Sequence, residues 1–162
     1  MRPSIFRIER SGPGKLSTMA RPRGNDWLED EMNGLRDIGV EVLVSMLTHN
    51  EANELDLLGE AAAASKAGLE FFSCPTPDRG WPDIDQFLDL LGRLEAATEQ
   101  GQHVVGHCRM GIGRASLVAA GLLMSEGQTG SEAWQTVSVA RGMPVPDTDE
   151  QRTWLEAAMR DR

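Results

Sequence analysis

Cys108 and Arg114 stand with five residues between them in the run His107-Cys108-Arg109-Met110-Gly111-Ile112-Gly113-Arg114. A thiol at one end of a glycine-bearing loop and a guanidinium at the other can act on one anion. The loop amides and the start of a following helix make a positive field, and that field favours the charged form of a thiol. A thiolate is a strong nucleophile. A guanidinium can grip two oxygens of a phosphoryl group at once. These residue types at this spacing suit attack of sulfur on phosphorus.

The loop needs a strand to deliver it and a helix to receive it. His103 to Gly106 is apolar and reads as a short buried strand. Ala115 to Met124 is rich in Ala and Leu and reads as a buried helix. Upstream, Ser4 to Glu9 alternates weakly as an edge strand, and Lys15 to Met19 reads as a second short strand. Asn25 or Asp26 is expected to cap a helix running to Ile38, with Leu28, Met32, Leu35 and Ile38 on one face. Val40 to Leu47 reads as a buried strand and Thr48 to Asn50 as a turn. Glu51 to Ala67 reads as one alanine-rich helix, and Leu69 to Cys74 as the next strand. Pro75 to Pro82 holds three prolines and must be a loop. Asp83 is expected to cap a helix to about Glu99, with Ile84, Phe87, Leu88, Leu91 and Leu94 inward. Ser131 is expected to cap a later helix ending near Gly142. Thr148 and Gln151 have capping-box spacing for a last helix, to about Arg160. Alternating strands and helices predict an α/β fold: a central parallel-rich sheet of four or five strands, with helices on both faces.

Composition bounds the rest. The 162 residues suit one domain, and 40% hydrophobic residues can fill a core. A net charge of −9 argues against nucleic acid as the main partner. No apolar run of about 18 residues predicts a membrane segment. Met1 to Arg10 alternates charges with apolar residues and lacks the apolar core of a signal peptide. Two cysteines, Cys74 and Cys108, cannot make a disulfide framework, and a thiolate works best in a reducing compartment. A cytoplasmic protein is expected. Nothing in the sequence suggests a metal or other cofactor, and the oligomeric state is not legible.

His107-Cys-x5-Arg114 on a strand, loop and helix resembles the cysteine-based protein tyrosine phosphatase superfamily. Gly39 to Val44 ahead of Glu51, then Pro75-x-x-Asp78-x-Gly80-x-Pro82-Asp83, then the Cys loop, resembles its small dual-specificity phosphatases. The kinase-associated type and its prokaryotic relatives are the nearest pattern, over roughly Gly14 to Met159. The resemblance implies Cys108 as nucleophile and Arg114 as the phosphate-binding cation. It implies that Arg109, Met110, Gly111, Ile112, Gly113 and Arg114 form the phosphate cradle, with His107 ordering the loop.

An aspartate should then serve as general acid. Trp81-Pro82-Asp83 matches the acid-loop string of larger tyrosine phosphatases. Asp78 is preferred, because it lies thirty residues before the nucleophile, as in the small members, and because Asp83 has a capping task. One departure stands out. The family usually carries Ser or Thr directly after the arginine, and its hydroxyl eases departure of the thiolate. Here the residue is Ala115, which implies slow breakdown of a phosphocysteine.

The expected activity is metal-independent hydrolysis of phosphomonoesters, with protein phosphotyrosine as default substrate and phosphoserine or phosphothreonine also admitted. Two other readings stay open: a capture module with little turnover, and a phosphatase of a non-protein substrate such as an inositide or an RNA 5′-triphosphate. Arg79, Arg109 and Arg141 are candidates for a cationic rim. Cys74 is expected to be a small residue ending a strand rather than a redox partner of Cys108. Gln151 is expected to cap a helix rather than place water. His49 and His103 are expected in solvent or turns.

Overall fold

The computed structural model describes residues 3–162, so the first two residues of the Met1–Arg10 stretch lie outside it. Within the described residues five strands form one sheet: β1 (Phe6–Ile8), β2 (Lys15–Met19), β3 (Val42–Ser45), β4 (Glu70–Ser73) and β5 (His103–His107). Their order is β1-β2-β5-β3-β4. Only β1 runs antiparallel to its neighbour; β2, β5, β3 and β4 are parallel. β5 lies in the middle, where both of its edges are paired and its five residues are all buried. Its end is therefore a rigid platform for the loop that follows.

Among the described residues seven α-helices cover the sheet: α1 (Leu28–Asp37), α2 (His49–Glu54), α3 (Glu60–Lys66), α4 (Ile84–Glu99), α5 (Arg114–Ser125), α6 (Gly130–Arg141) and α7 (Asp149–Arg160). Side chains alternate across the strands and divide the core in two. Val42, Val44 and Val104 face Phe87, Leu91 and Leu94 of α4, the whole apolar length of α5, and Trp134 and Leu155 of α6 and α7. Leu43 and Val105 face Met32 and Leu35 of α1 and Ala64 of α3. This is the two-period expected of strands buried on both faces. α5 is wrapped on every side: Arg114 through Leu123 are buried without interruption. No helix among the described residues is long and apolar enough to cross a membrane.

Four local expectations change. The Glu51–Ala67 stretch is two helices, not one. Thr48 and Glu51 form a capping box that starts α2 at His49, and the chain turns at Leu55–Gly59 before α3. The turn buries Leu57 in the second core and puts Asp56 at φ 58°, a conformation outside the helix. Alanine propensity cannot reveal that break, because tertiary burial decides it. Asn25 and Asp26 form a short 3₁₀ turn through Trp27 instead of capping α1. Thr129, not Ser131, caps α6, with Glu132 completing a capping box. On α4, Leu90 is buried while Ile84 is 40% exposed. Asp83 caps α4 by accepting the Gln86 N–H, and Thr148 with Gln151 caps α7, as the spacing predicts.

Candidate active site

The loop from Cys108 to Gly113 joins β5 to α5, at the end where the parallel strands finish. Cys108, Arg109, Met110, Ile112, Gly113 and Arg114 line a cavity of about 170 Å³. Asp78 and Arg79, from the proline-rich loop after β4, line it too, as does Asp147, ahead of α7.

The loop is held from behind by its carbonyls. The Cys108 oxygen accepts from His107 Nδ1 at 3.2 Å, and the Arg109 oxygen accepts from the Arg21 N–H at 3.2 Å. Arg141 donates to the Gly111 oxygen at 3.1 Å and to the Met110 oxygen at 3.3 Å. Four consecutive carbonyls are thus engaged by the scaffold. A site for an anion needs this, since a carbonyl turned inward would repel it.

Arg141 does not line the cavity. It clamps the loop and stacks on Phe6, 4.2 Å from the ring centroid. Of the three arginines expected at the rim, Arg79 and Arg109 are there and Arg141 is not. Gly111 sits at φ +72°, and a Cβ on it would lie 2.8 Å from the Met19 backbone. Gly113 has no room for a different reason: a Cβ there would lie 2.2 Å from Asp147 Oδ2.

Arg114 is 2% exposed. Burial opposes its charge. The hydrogen bonds it donates to Glu51, and its electrostatic attraction to Cys108, Glu51 and Asp78, outweigh that cost and hold it protonated. Glu51 is drawn down to about 2, chiefly by the Arg114 hydrogen bond. Arg114 Nη1 also donates to the Thr76 oxygen at 2.8 Å. Asp78 Oδ1 lies 3.5 Å from Arg114 Nη2, and its side chain is mostly exposed. Asp78 belongs to a tight turn in which the Gly80 N–H bonds the Pro77 oxygen at 2.8 Å and Arg79 has φ +61°. Asp83 does not line the cavity.

Gln151 caps α7 and does more. It is buried, and its Nε2 donates to the Gly80 oxygen at 2.9 Å, tying α7 to the Asp78 loop. His107 is buried between the Cys108 carbonyl and Glu60. Cys74, buried at the end of β4, is a free thiol pushed up to about 11 by burial and then by the charge of Asp83. His103 departs from expectation. It is buried, shares a 2.8 Å hydrogen bond with Ser17, and is pushed down to about 4 by burial and then by Lys15 and Arg7. His49 is exposed, as expected.

Sequence reasoning missed Glu51, Glu60 and Asp147 as parts of this site. Glu51 carried a visible signal only as a helix-start residue, three after Thr48. Glu60 and Asp147 carried none.

A family model described as polymorphic toxin system, DSP-PTPase phosphatase, matches residues 17–128. Cyclin-dependent kinase inhibitor 3 of Rattus norvegicus is 28% identical over 147 residues, covering 88% of this chain and 66% of that protein. The Sus scrofa protein of the same name is 25% identical over 130 residues, covering 79% of this chain and 61% of that protein. The chain therefore spans roughly three fifths to two thirds of the length of these curated relatives. Among solved structures, kinase associated phosphatase with its catalytic-site cysteine substituted by serine matches with a TM-score of 0.90 at 20% identity, over 99% of this chain and 96% of that one. Tk-PTP in its active form matches with a TM-score of 0.76 at 25% identity, over 97% of each chain.

Proposed function

Since the chain belongs to the DSP-PTPase phosphatase family of polymorphic toxin systems, we propose that it hydrolyses phosphomonoesters through a phosphocysteine on Cys108. The observation that carries this reading is the meeting of Cys108, Arg114 and Asp78 at one small cavity, with four consecutive loop carbonyls, Cys108 to Gly111, tied behind it. The Cys108 thiolate attacks phosphorus and the ester P–O bond breaks. Asp78 gives its proton to the leaving oxygen, a step that contributes about 10²–10⁴-fold. Water then attacks the phosphocysteine, Asp78 takes a proton from that water, and the thiolate leaves with the S–P electron pair. Splitting the reaction this way replaces one hard step with two easier ones. Arg114 and the amides of Arg109 to Arg114 meet the equatorial oxygens as their charge redistributes. The thiolate supplies the nucleophile and Arg114 the compensating charge, so the reaction requires no metal.

Protein phosphotyrosine is the proposed substrate, with phosphoserine and phosphothreonine as further esters. Ile112 and the exposed Met110 put apolar surface on the cavity, which suits an aryl ring. Ala115 favours a second reading, capture of a phosphorylated partner with little turnover. It fills the position after Arg114 without a hydroxyl.

The test is hydrolysis of an aryl phosphate with chelator present, in wild type and Cys108→Ser. Activity lost at least 10³-fold in the variant supports the thiol mechanism. Binding of vanadate without hydrolysis in wild type supports the capture reading. Activity that survives in Cys108→Ser overturns both.

A further inference from the structure

We infer that Glu60 is a positioning residue for the nucleophile, acting on Cys108 through His107. The inference rests on the reading of Cys108 as the attacking thiolate.

Glu60 opens α3 and is 3% exposed; His107 ends β5 and is fully buried. Glu60 Oε2 lies 2.5 Å from His107 Nε2, and the other ring nitrogen, Nδ1, lies 3.2 Å from the Cys108 carbonyl oxygen. A carbonyl only accepts, so Nδ1 carries a proton and donates it. Nε2 and the Glu60 carboxyl therefore hold one further proton between them. This fixes the tautomer and the ring plane of His107. It also places the proton-rich end of a buried dyad against the backbone of the nucleophile. The arrangement is that of a base or nucleophile oriented by a third group behind it.

Stability alone does not account for it. A buried carboxylate and imidazole lose their hydration, and a well-packed apolar pair of similar volume is often as stable or more so. Its chain neighbours Leu57, whose carbonyl accepts the Glu60 N–H at 3.1 Å, and Ala64, one turn along α3, are both buried in the second apolar core. Among the described residues its side chain has one hydrogen-bond partner, His107.

The other charged groups near Cys108 are Arg109 and Arg114 on its own loop and helix, Asp78 and Arg79 from the loop after β4, and Asp147 ahead of α7. Glu51 of α2 lies behind Arg114. None is altered when Glu60 is changed.

The experiment is alkylation of Cys108 by iodoacetamide from pH 4 to 9, read by peptide mass, in wild type and Glu60→Gln. Glutamine keeps the volume and one hydrogen bond but brings no ionisable proton. Cys74, buried and pushed up to about 11, stays silent. The expected result is a curve moved to higher pH, with alkylation at pH 6 slowed about tenfold and the high-pH plateau unchanged. A merely structural role would lower the melting temperature and leave the curve in place. A folded Glu60→Gln with the wild-type curve overturns the inference.

A second measurement needs no variant. Long-range ¹H–¹⁵N spectra of wild type should find His107 Nδ1 protonated, and a bare Nδ1 overturns the inference. The two readings fail separately. Wild type that hydrolyses aryl phosphate, with an unmoved Glu60→Gln curve, defeats this inference alone. Wild type with neither hydrolysis nor low-pH alkylation defeats the nucleophile reading and this inference with it.

Discussion

Arg114 and Glu51 meet through two parallel contacts, Nη1 to Oε1 at 2.5 Å and Nη2 to Oε2 at 2.9 Å, across 63 residues of sequence. Both nitrogens at the tip of the guanidinium are thereby aimed before any ligand arrives. Arginine ordered in advance gives up less side-chain freedom on binding an anion, so more of the contact energy reaches the ligand. Glu51 also closes the capping box of α2, receiving the Thr48 N–H at 3.1 Å. One carboxylate thus fixes a helix start and the buried cation at the cavity together.

Removing that carboxylate should be felt in activity and in acid stability. Glu51→Gln is expected to lower kcat/KM on aryl phosphate by about 10–100-fold, through a misaligned Arg114. The folded value of Glu51 is about 2, below its ordinary 4.5. A depressed carboxylate stabilises the fold above its unfolded value, and that stability is lost as pH falls through the folded value. Between about pH 4.5 and 2, wild type should therefore lose stability that Glu51→Gln never had. Urea melts at stepped pH would measure it.

The two aspartates of the loop after β4 should separate cleanly. Asp78→Asn is expected to cost about 10²-fold or more in kcat on esters with poor leaving groups, and much less on an activated aryl phosphate that leaves without a proton. Asp83→Asn should keep activity within about twofold, because asparagine caps a helix as well as aspartate does. Asp83→Ala should cost about 1 kcal/mol of stability through the lost bond to the Gln86 N–H. Steady-state rates on two leaving groups, with thermal melts, decide the matter. Loss of the acid function in Asp83→Asn but not Asp78→Asn would reverse the assignment.

Ala115 should make the second half-reaction slow. Wild type mixed rapidly with excess aryl phosphate is expected to release a burst of phenol and to accumulate phosphoenzyme. Ala115→Ser should raise the steady-state rate several-fold and shrink the burst. Ala115 is completely buried on α5, so serine must also find a hydrogen-bond partner there. Unchanged turnover in a stably folded Ala115→Ser would sink the idea.

Gly111→Ala should damage the cradle more than its one methyl suggests. The backbone at φ +72° disfavours alanine, and the new Cβ would press on the Met19 carbonyl at 2.8 Å. A loss of about 2 kcal/mol in stability is expected, with vanadate affinity reduced at least tenfold. Calorimetry with and without vanadate reports both.

The parts of this site that lie along the chain were legible. The strand before Cys108, the apolar helix after Arg114, the Asp83 cap and the Thr148–Gln151 box all announce themselves within a few residues. The parts that meet across the fold were not. Glu60 reaches His107 over 47 residues, and Arg141 reaches the Gly111 carbonyl over 30. No periodicity couples such positions. By sequence Glu60 is one more charge in an alanine-rich stretch, and Arg141 is a candidate for the cationic rim rather than for a clamp behind the loop. His103 was misplaced for a related reason: a histidine opening a strand is buried or not according to its neighbours, here Ser17 on β2.

The Gln151–Gly80 hydrogen bond spans 71 residues and fastens the Asp78 loop to α7. Contacts of such separation must overcome loop-closure entropy before they return anything, so they form late when a chain folds. The sheet can register and α5 can collapse onto it while the Asp78 loop still lacks its tether. A chain growing from its N-terminus would thus have the Cys108 loop in place before the Asp78 loop was fastened, and the proposed catalytic set would be complete only once α7 had docked.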